Sequence, residues 1–238
     1  MDRITMSNTT IGVKQLKRQL VLLLSLAAFV VMAIAFPFSV GAAEGAQVRV
    51  LHASPDAPAV DVYVNQDKIM SGVKFKDLGE YMTLDEGSYD IKIFAEGSKP
   101  KKDDPVIEEN VTVMGGKAYT LAATGKLADL ALTAFEDDLT TLDNEAKLRV
   151  IHLSPDAPKV DVFSLDTPVF TSVGFQMQTD YQDLPEGNYS LDIRPEGQEK
   201  AIFNVPNVEL KKGENYTVFA VGLLKGDPAF DLILAQDK

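Results

Sequence analysis

The 238-residue chain contains no cysteine and no tryptophan, and it has only two histidines. The absence of cysteine excludes disulfide bonds, thiolate metal sites, iron–sulfur clusters, a cysteine nucleophile and a lipid-modified N-terminal cysteine. The absence of tryptophan removes the aromatic side chain that most often stacks on sugar rings.

Basic side chains are also scarce, because 23 lysines and arginines face 35 acidic residues, for a net charge of −12. The first 43 residues hold four basic side chains and one acidic side chain, so residues 44–238 carry a net charge of −15. A protein this acidic repels phosphate backbones. The composition therefore predicts that nucleic acid is not a partner.

The N-terminal segment has the three-part layout of a secretory signal peptide. A basic region ends at Gln19, an apolar run covers residues 20–35, and GAA at 41–43 supplies the small residues that a signal peptidase requires. We expect residues 1–43 to be removed and the remainder to be secreted or held at the cell surface, as in bacterial exported proteins without cysteine. The alternative is an N-terminal membrane anchor with the same topology, and this segment is the only membrane contact that the sequence predicts.

The remainder of the chain consists of two copies of one sequence unit. Residues 48–64 (VRVLHASPDAPAVDVYV) return at 148–164 (LRVIHLSPDAPKVDVFS) with eleven of 17 positions identical and a spacing of 100. A repeat of this length indicates a duplicated domain rather than a solenoid. We expect one domain at 44–138, a polar linker at 139–147 and a second domain at 148–238, each able to fold alone.

Apolar and polar residues alternate at the period of β-strands in both copies. Tyr89, Ile91 and Ile93 alternate with polar neighbours, the same pattern recurs at 189–193, and no segment after residue 43 has a helical period. About seven short strands in roughly 95 residues predict a β-sandwich. The expected fold is therefore all-β, with two tandem antiparallel β-sandwich domains, immunoglobulin-like or prealbumin-like, after an N-terminal apolar helix.

Turn signals mark the connections between the expected strands. LDEG at 84–87 and LPEG at 184–187 predict hairpins, as does the glycine pair at 115–116. Tyr89 and Tyr189 follow the first two turns, and their position resembles the tyrosine corner of immunoglobulin-like sandwiches, in which the hydroxyl bonds to a loop backbone.

The phrase R-V-[LI]-H-x-S-P-D-A-P-x-V-D-V, followed by L-x-E-G-x-Y, occurs twice. In these motifs the chain is similar to the bacterial domain-of-unknown-function family numbered 4397, over essentially all of residues 47–238. The resemblance implies an exported envelope or extracellular protein, often with tandem copies. It implies no catalytic residue, cofactor or ligand.

Both histidines stand at the same place in the repeated phrase, whose polar side chains are the candidates for ligand binding. These candidates are His52, Ser54, Asp56, Asp61, His152, Ser154, Asp156 and Asp161. If residues 48–64 form a hairpin, one register places His52 against Asp61, and His152 correspondingly against Asp161. Such a pair near a serine is reminiscent of a catalytic triad, but no Gly-x-Ser-x-Gly turn or helix N-terminus supplies an oxyanion hole. We therefore favour a structural role, in which the imidazole and carboxylate hold the loop.

Neither a metal site nor a cofactor is predicted. One imidazole and two carboxylates per copy lack the close histidine spacing of zinc sites. The acidic runs at 103–104 and 136–138 lack the alternating ligands of calcium loops. We expect Arg49 and Arg149 to pair with Asp61 and Asp161 rather than with an anionic ligand.

Three classes of function remain. The first is a non-enzymatic envelope or extracellular protein with a binding, structural or adhesive role toward an unidentified protein or glycan. The second is a secreted binder of a small ligand or divalent ion through the His-x-Ser-Pro-Asp-Ala-Pro loops, and the third is a secreted hydrolase. Duplication favours the first two, because tandem copies raise avidity.

The leader gives a direct prediction. The small residues at 41–43 follow the apolar run, so we expect the exported protein to begin at or within a few residues of Glu44. The intact mass of protein recovered from the medium or the envelope measures this. A mass that retains residues 1–43 would identify the segment as a membrane anchor.

Overall fold

A computed structural model describes residues 44–238 of the chain, and they form seventeen β-strands and one short 3₁₀ helix, Leu127–Asp129. The predicted all-β, tandem β-sandwich fold is confirmed for this part of the chain. The expected signal peptide, with its apolar helix and cleavage site, lies outside the described residues. Between residues 44 and 238 no helix has the length and apolar character needed to span a bilayer.

The first copy is a sandwich of two four-stranded sheets. Its strands are β1 (Ala46–His52), β2 (Val60–Val64), β3 (Asp67–Val73), β4 (Met82–Leu84), β5 (Gly87–Ala95), β6 (Ile107–Val113), β7 (Ala118–Thr124) and β8 (Ala131–Asp137). One sheet, here called the inner sheet, has the order β4-β1-β7-β8, and the outer sheet has the order β3-β2-β5-β6. Strands β1 and β7 run parallel, and the other neighbouring pairs are antiparallel.

The second copy repeats this arrangement. Its strands are β9 (Glu145–His152), β10 (Val160–Ser164), β11 (Thr167–Val173), β12 (Met177–Gln178), β13 (Gln182–Pro185), β14 (Gly187–Pro195), β15 (Phe203–Leu210), β16 (Asn215–Val221) and β17 (Asp231–Asp237). The inner sheet has the order β12-β9-β16-β17, with β13 also on β9, and the outer sheet has the order β11-β10-β14-β15. The duplication seen in the sequence is therefore a duplication of the whole sandwich.

The predicted hairpins are wrong, because the connections concerned cross between sheets. Strands β1 and β2 lie in different sheets, and so do β4 and β5, and β6 and β7. Proline and glycine shape the backbone in both kinds of connection, so the turn residues do not reveal which strands pair. The tyrosine corners are nevertheless present. The Tyr89 hydroxyl donates to the Asp85 carbonyl at 2.8 Å, and the Tyr189 hydroxyl donates to the Pro185 carbonyl at 2.8 Å.

Each sandwich has its own apolar core between its two sheets, as strand alternation predicts. Val48 and Ile93 belong to the core of the first copy, and Leu148 and Ile193 belong to that of the second. These side chains lie on the face of each inner sheet that points toward its own outer sheet. The residues on the opposite face of each inner sheet belong to neither of these two cores.

A third apolar cluster joins the two copies. It contains Leu51, Ala53, Ala122 and Phe135 from the first copy and Ile151, Leu153, Phe219, Val221 and Ala235 from the second. All of them lie on the faces of the inner sheets that point away from the sandwich cores, so the two inner sheets pack against each other. The central strands β7 and β16 are consequently buried along their whole length.

This shared core favours joint unfolding over the independent folding expected from the linker. Phe219 is fully buried at the interface, so Phe219→Ala should cost about 3–5 kcal/mol. We expect calorimetry of residues 44–238 to show one transition, which Phe219→Ala moves as a whole. The half-exposed Leu234 on β17 gives the control, since Leu234→Ala should change stability by less than about 0.5 kcal/mol. Two transitions, only one of them shifted by Phe219→Ala, would contradict a shared core.

Candidate functional site

The two histidines end strands β1 and β9, and both are buried. His52 Nε2 lies 3.1 Å from the Pro58 carbonyl oxygen, and His152 Nε2 lies 3.1 Å from the Pro158 carbonyl oxygen. A carbonyl only accepts, so each imidazole donates from Nε2 and each ring keeps its proton there. The histidines therefore close the crossover that leads from the inner sheet to the outer sheet.

The predicted contacts of His52 with Asp61 and of His152 with Asp161 are wrong. Asp61 accepts hydrogen bonds from Lys68 Nζ at 2.6 Å and from the Ser71 hydroxyl at 3.0 Å, within its own outer sheet. Because β1 and β2 lie in different sheets, no ladder register brings the imidazole and this carboxylate together.

Both carboxylates instead bind the neighbouring backbone. Asp61 accepts from the amide of Gly72 at 3.0 Å, and Asp161 accepts from the amides of Ser172 at 2.8 Å and Gly197 at 3.1 Å. The Lys68 ammonium, together with the Gly72 amide and the Ser71 hydroxyl, holds the pKa of Asp61 below its usual range against the opposing effect of burial. Each aspartate thus fixes the start of its outer sheet.

The two serines are fully buried, and among the described residues neither hydroxyl contacts an imidazole. The Ser154 hydroxyl donates to the Gly222 carbonyl at 2.8 Å, while among residues 44–238 the Ser54 hydroxyl has no hydrogen-bond partner. In the second copy it is the Ser154 amide, at 3.3 Å, that donates to His152 Nδ1. The arrangement lacks a hydroxyl–imidazole contact of the kind that nucleophilic catalysis uses.

Asp56 and Asp156 are the more accessible candidates, and both hold a neighbouring loop. Asp56 accepts from the Leu127 amide at 2.7 Å. Asp156 accepts from the amides of Leu224 at 2.7 Å and Lys225 at 2.9 Å. The two carboxylates tie the crossover to the connection between the last two strands of each inner sheet. The structure thus collects the histidine, the serine and this aspartate in one segment per copy and commits them mainly to backbone contacts.

Sequence reasoning missed a buried polar cluster at the contact between the two inner sheets. Arg49 donates from Nε to the Thr120 hydroxyl at 2.9 Å and from Nη2 to Asp237 Oδ1 at 2.6 Å. The second copy mirrors this geometry: Arg149 donates from Nε to the Thr217 hydroxyl at 2.8 Å and from Nη2 to the carboxylate of Asp137. The predicted pairing of the arginines with Asp61 and Asp161 is therefore wrong, since each arginine pairs with an aspartate of the other copy.

Two tyrosines complete this cluster. The Tyr81 hydroxyl donates to Asp137 Oδ2 at 2.7 Å, and the Tyr181 hydroxyl donates to Asp237 Oδ2 at 2.8 Å. Their rings lie 4.6 and 4.7 Å from the guanidinium carbons of Arg49 and Arg149, within cation–π distance. Both hydroxyls are protonated at neutral pH, and burial raises their pKa further.

The cluster could have been found from the repeat itself. Both copies carry an arginine, a threonine and an aspartate at matching strand positions, and a tyrosine just before the matching edge strand. The threonines stand in β7 and β16, which are largely apolar on both faces. A strand with continuous apolar character is typically buried on both sides.

Metal binding finds no support in these positions. Between residues 44 and 238 no group of three or more His, Asp or Glu side chains is close enough to hold a metal ion. Both imidazoles are occupied by a carbonyl at Nε2, and burial lowers their pKa despite the opposing hydrogen bond to that carbonyl.

The fold and the repeated segments define a tandem β-sandwich protein in which the recurring motif closes the sheet crossovers. The chain belongs to the family described as Domain of unknown function (DUF4397), whose model matches residues 46–163 and 146–238. The two overlapping matches are consistent with tandem copies of the domain. No curated protein matches the chain.

Solved structures give only remote similarities. The C-terminal domain of AlgF from P. aeruginosa is 20% identical, covering 40% of this chain and 99% of that one, with a TM-score of 0.32. A streptococcal virulence factor that binds α-glucan is 10% identical over 74% of this chain and 92% of that one, with a TM-score of 0.25. The fimbrial anchor protein Mfa2 from Porphyromonas gingivalis is 10% identical over 81% and 97%, with a TM-score of 0.22.

The buried histidines predict a pH dependence of stability. Burial lowers the pKa of His52 and His152 in the folded chain below the ordinary value of 6.5. The unfolded chain therefore binds protons first, and the stability that neutral imidazoles contribute is complete above pH 6.5 and is lost as the pH falls through the folded-state pKa. The slope is at most about 1.4 kcal/mol per pH unit for each histidine.

Urea unfolding between pH 7.5 and pH 5 measures this slope, because most carboxylates titrate below that range. The double variant His52→Gln/His152→Gln, which lacks both titrating rings, should have a flatter profile than the wild-type chain. A wild-type stability that does not change between pH 7.5 and pH 5 would argue against neutral, buried imidazoles.

Proposed function

We propose that the chain is an exported, non-enzymatic protein of the cell envelope or the extracellular space, with a binding, structural or adhesive role. The observation that carries this proposal is the use of the twice-repeated phrase. Its histidines and serines are buried, and the imidazoles hold the backbone of the crossovers, so the repeat preserves a scaffold. The signal-like leader supports export.

The geometry of the histidine segments speaks against a hydrolase. A general base must be able to take a proton from a nucleophile or a water at hydrogen-bond distance. Nε2 of each ring already donates to a proline carbonyl, and the rings of His52 and His152 are closed off from solvent. A substrate would have to open the crossover to reach either ring.

The same burial weighs against a small-ligand site at these loops. Of the candidates in the first copy, Asp56 is exposed, while His52, Ser54 and Asp61 are buried. To bind a ligand, Asp56 would have to exchange its hydrogen bond from the Leu127 amide for one from the ligand. A partner that contacts the surface of the sheets is therefore favoured, and the charge of −15 over residues 44–238 favours neutral or basic partners over anionic polymers.

Binding of purified residues 44–238 to isolated cell envelopes, to purified envelope glycans and to secreted proteins tests the proposal. We expect retention on at least one of these, with little change for His52→Gln/His152→Gln, because the histidines contact no partner. The variant's circular dichroism spectrum controls for folding.

Assays of turnover with ester, peptide and glycoside substrates test the alternative that the chain is a hydrolase. The proposal expects no turnover by the wild-type chain. Turnover that disappears in the histidine double variant would replace the proposal with a hydrolase, and retention that disappears in the folded double variant would replace it with a ligand site at the loops.

A further inference from the structure

The contact between the two inner sheets has the pattern of a twofold dimer. Arg49 of the first copy binds Asp237 of the second, and Arg149 of the second copy binds Asp137 of the first. The two arginines are equivalent positions of the repeat, and so are the two aspartates, which end β8 and β17. In a twofold interface, residue i of one partner contacts residue j of the other, and residue j of the first contacts residue i of the second. Such an interface is called isologous, because both partners use the same surface.

A second pair of contacts follows the same exchange. Lys76 of the first copy forms an ion pair with Asp231, and Gln176, the equivalent of Lys76, donates to the Thr124 hydroxyl of the first copy at 2.8 Å. The two acceptors lie at corresponding corners of the inner sheets, because Thr124 pairs with the first residue of β8 and Asp231 is the first residue of β17. The approximate twofold relation therefore extends from the charged cluster to the far end of the interface.

Each inner sheet carries both charges that the other requires. In the first copy Thr120 bridges Arg49 and Asp137, donating to Asp137 Oδ2 at 2.7 Å, and Arg49 Nε lies 3.8 Å from the same oxygen. The surface thus offers a cation and an anion side by side, next to the apolar residues of the shared core. When a second surface of the same kind faces the first after a rotation of 180°, the guanidinium of each surface lies against the carboxylate of the other.

The side-chain sizes in the apolar part of this face differ between the two copies. Ala122 and Phe135 stand in the first copy where Phe219 and Ala235 stand in the second, so a small residue in one copy corresponds to a large residue in the other. The packing of this apolar cluster is matched to the unlike pair, which is the pair that the structure contains.

From these contacts we infer that the face of each inner sheet formed by its arginine, threonine, aspartate and apolar residues is a self-complementary docking surface for another copy of this domain. In this chain the sister copy occupies the surface. The linker raises the local concentration of the two partners, and the interface itself holds them together. The exchange of contacts between equivalent residues carries this inference independently of the proposed function.

Cleavage of the linker tests the inference in the full chain. Asp143 and Asn144 are exposed, so a protease site inserted between them can be cut after folding. Native mass spectrometry of the cut protein distinguishes the possible particles, because the two fragments differ in mass. We expect the pair of unlike fragments to dominate at micromolar concentration, with pairs of like fragments appearing as the fragments exchange.

The alternative outcomes of this experiment would each overturn part of the inference. Separated single fragments would overturn the docking surface, because the linker alone would then hold the copies together. Unlike pairs without any like pairs after prolonged exchange would overturn self-complementarity. Circular dichroism of the cut sample ensures that pairs are counted only among folded fragments, and fragments that separate and unfold on cutting count against the inference.

Matched variants connect the association to the exchanged charges. Asp237→Asn removes the anion that faces Arg49 while keeping its shape, so the dissociation constant of the cut halves should rise about 100-fold. Asp138→Asn is the control, because Asp138 pairs with Lys147 at 2.7 Å in a partly exposed position, and this change should alter the constant less than about threefold. Equal effects of the two variants would show that the buried charges do not hold the copies together.

Discussion

The packing of the two sandwiches against each other depends on four charges that are closed off from water between the two inner sheets. Buried ions cost several kcal/mol each unless they are paired and fully hydrogen-bonded. Each arginine has its hydrogen-bonded carboxylate in the other copy, Asp237 for Arg49 and Asp137 for Arg149, so neither copy satisfies its own charges in full. The pairing therefore fixes how the inner sheets face each other, and the apolar side chains around it exclude the water that would weaken it.

The crossover segments are built on the same strands as this interface. In β1 the side chain of Arg49 points toward the other copy, and His52 closes the connection to the outer sheet of its own copy. In β9, Arg149 likewise contacts the other copy, and His152 closes the connection to the outer sheet of its own copy. The segment that both copies share most closely therefore contains a strand that makes two contacts, one with the other copy and one with the crossover of its own copy. These two structural contacts are sufficient to account for the repetition.

The sequence predicts the structural features that depend on local pattern. It does not predict the contacts that depend on which strands pair. The alternation around Ile91 and Ile93 and the tyrosine corner at Tyr89 are local, and both are present. The hairpins and the contact of His52 with Asp61 depend on which strands become neighbours, and the same turn residues serve a hairpin and a crossover. The contact between the copies depends on residues 188 positions apart in the chain. Only the apolar character of both faces of β7 and β16 hints at it.

The interface also changes what duplication means for function. The faces that carry the shared arginine, threonine and aspartate are turned toward each other, and the outer sheets differ between the copies at an exposed charged position. Lys92 pairs with Glu108 at 2.6 Å in the first copy, while its counterpart Asp192 accepts from Asn204 at 2.6 Å in the second. Two surfaces with opposite charge at the same position do not present one epitope twice. Avidity for a single partner, which tandem copies usually suggest, therefore explains this duplication less well than the closure of a charged, self-complementary face by a sister domain.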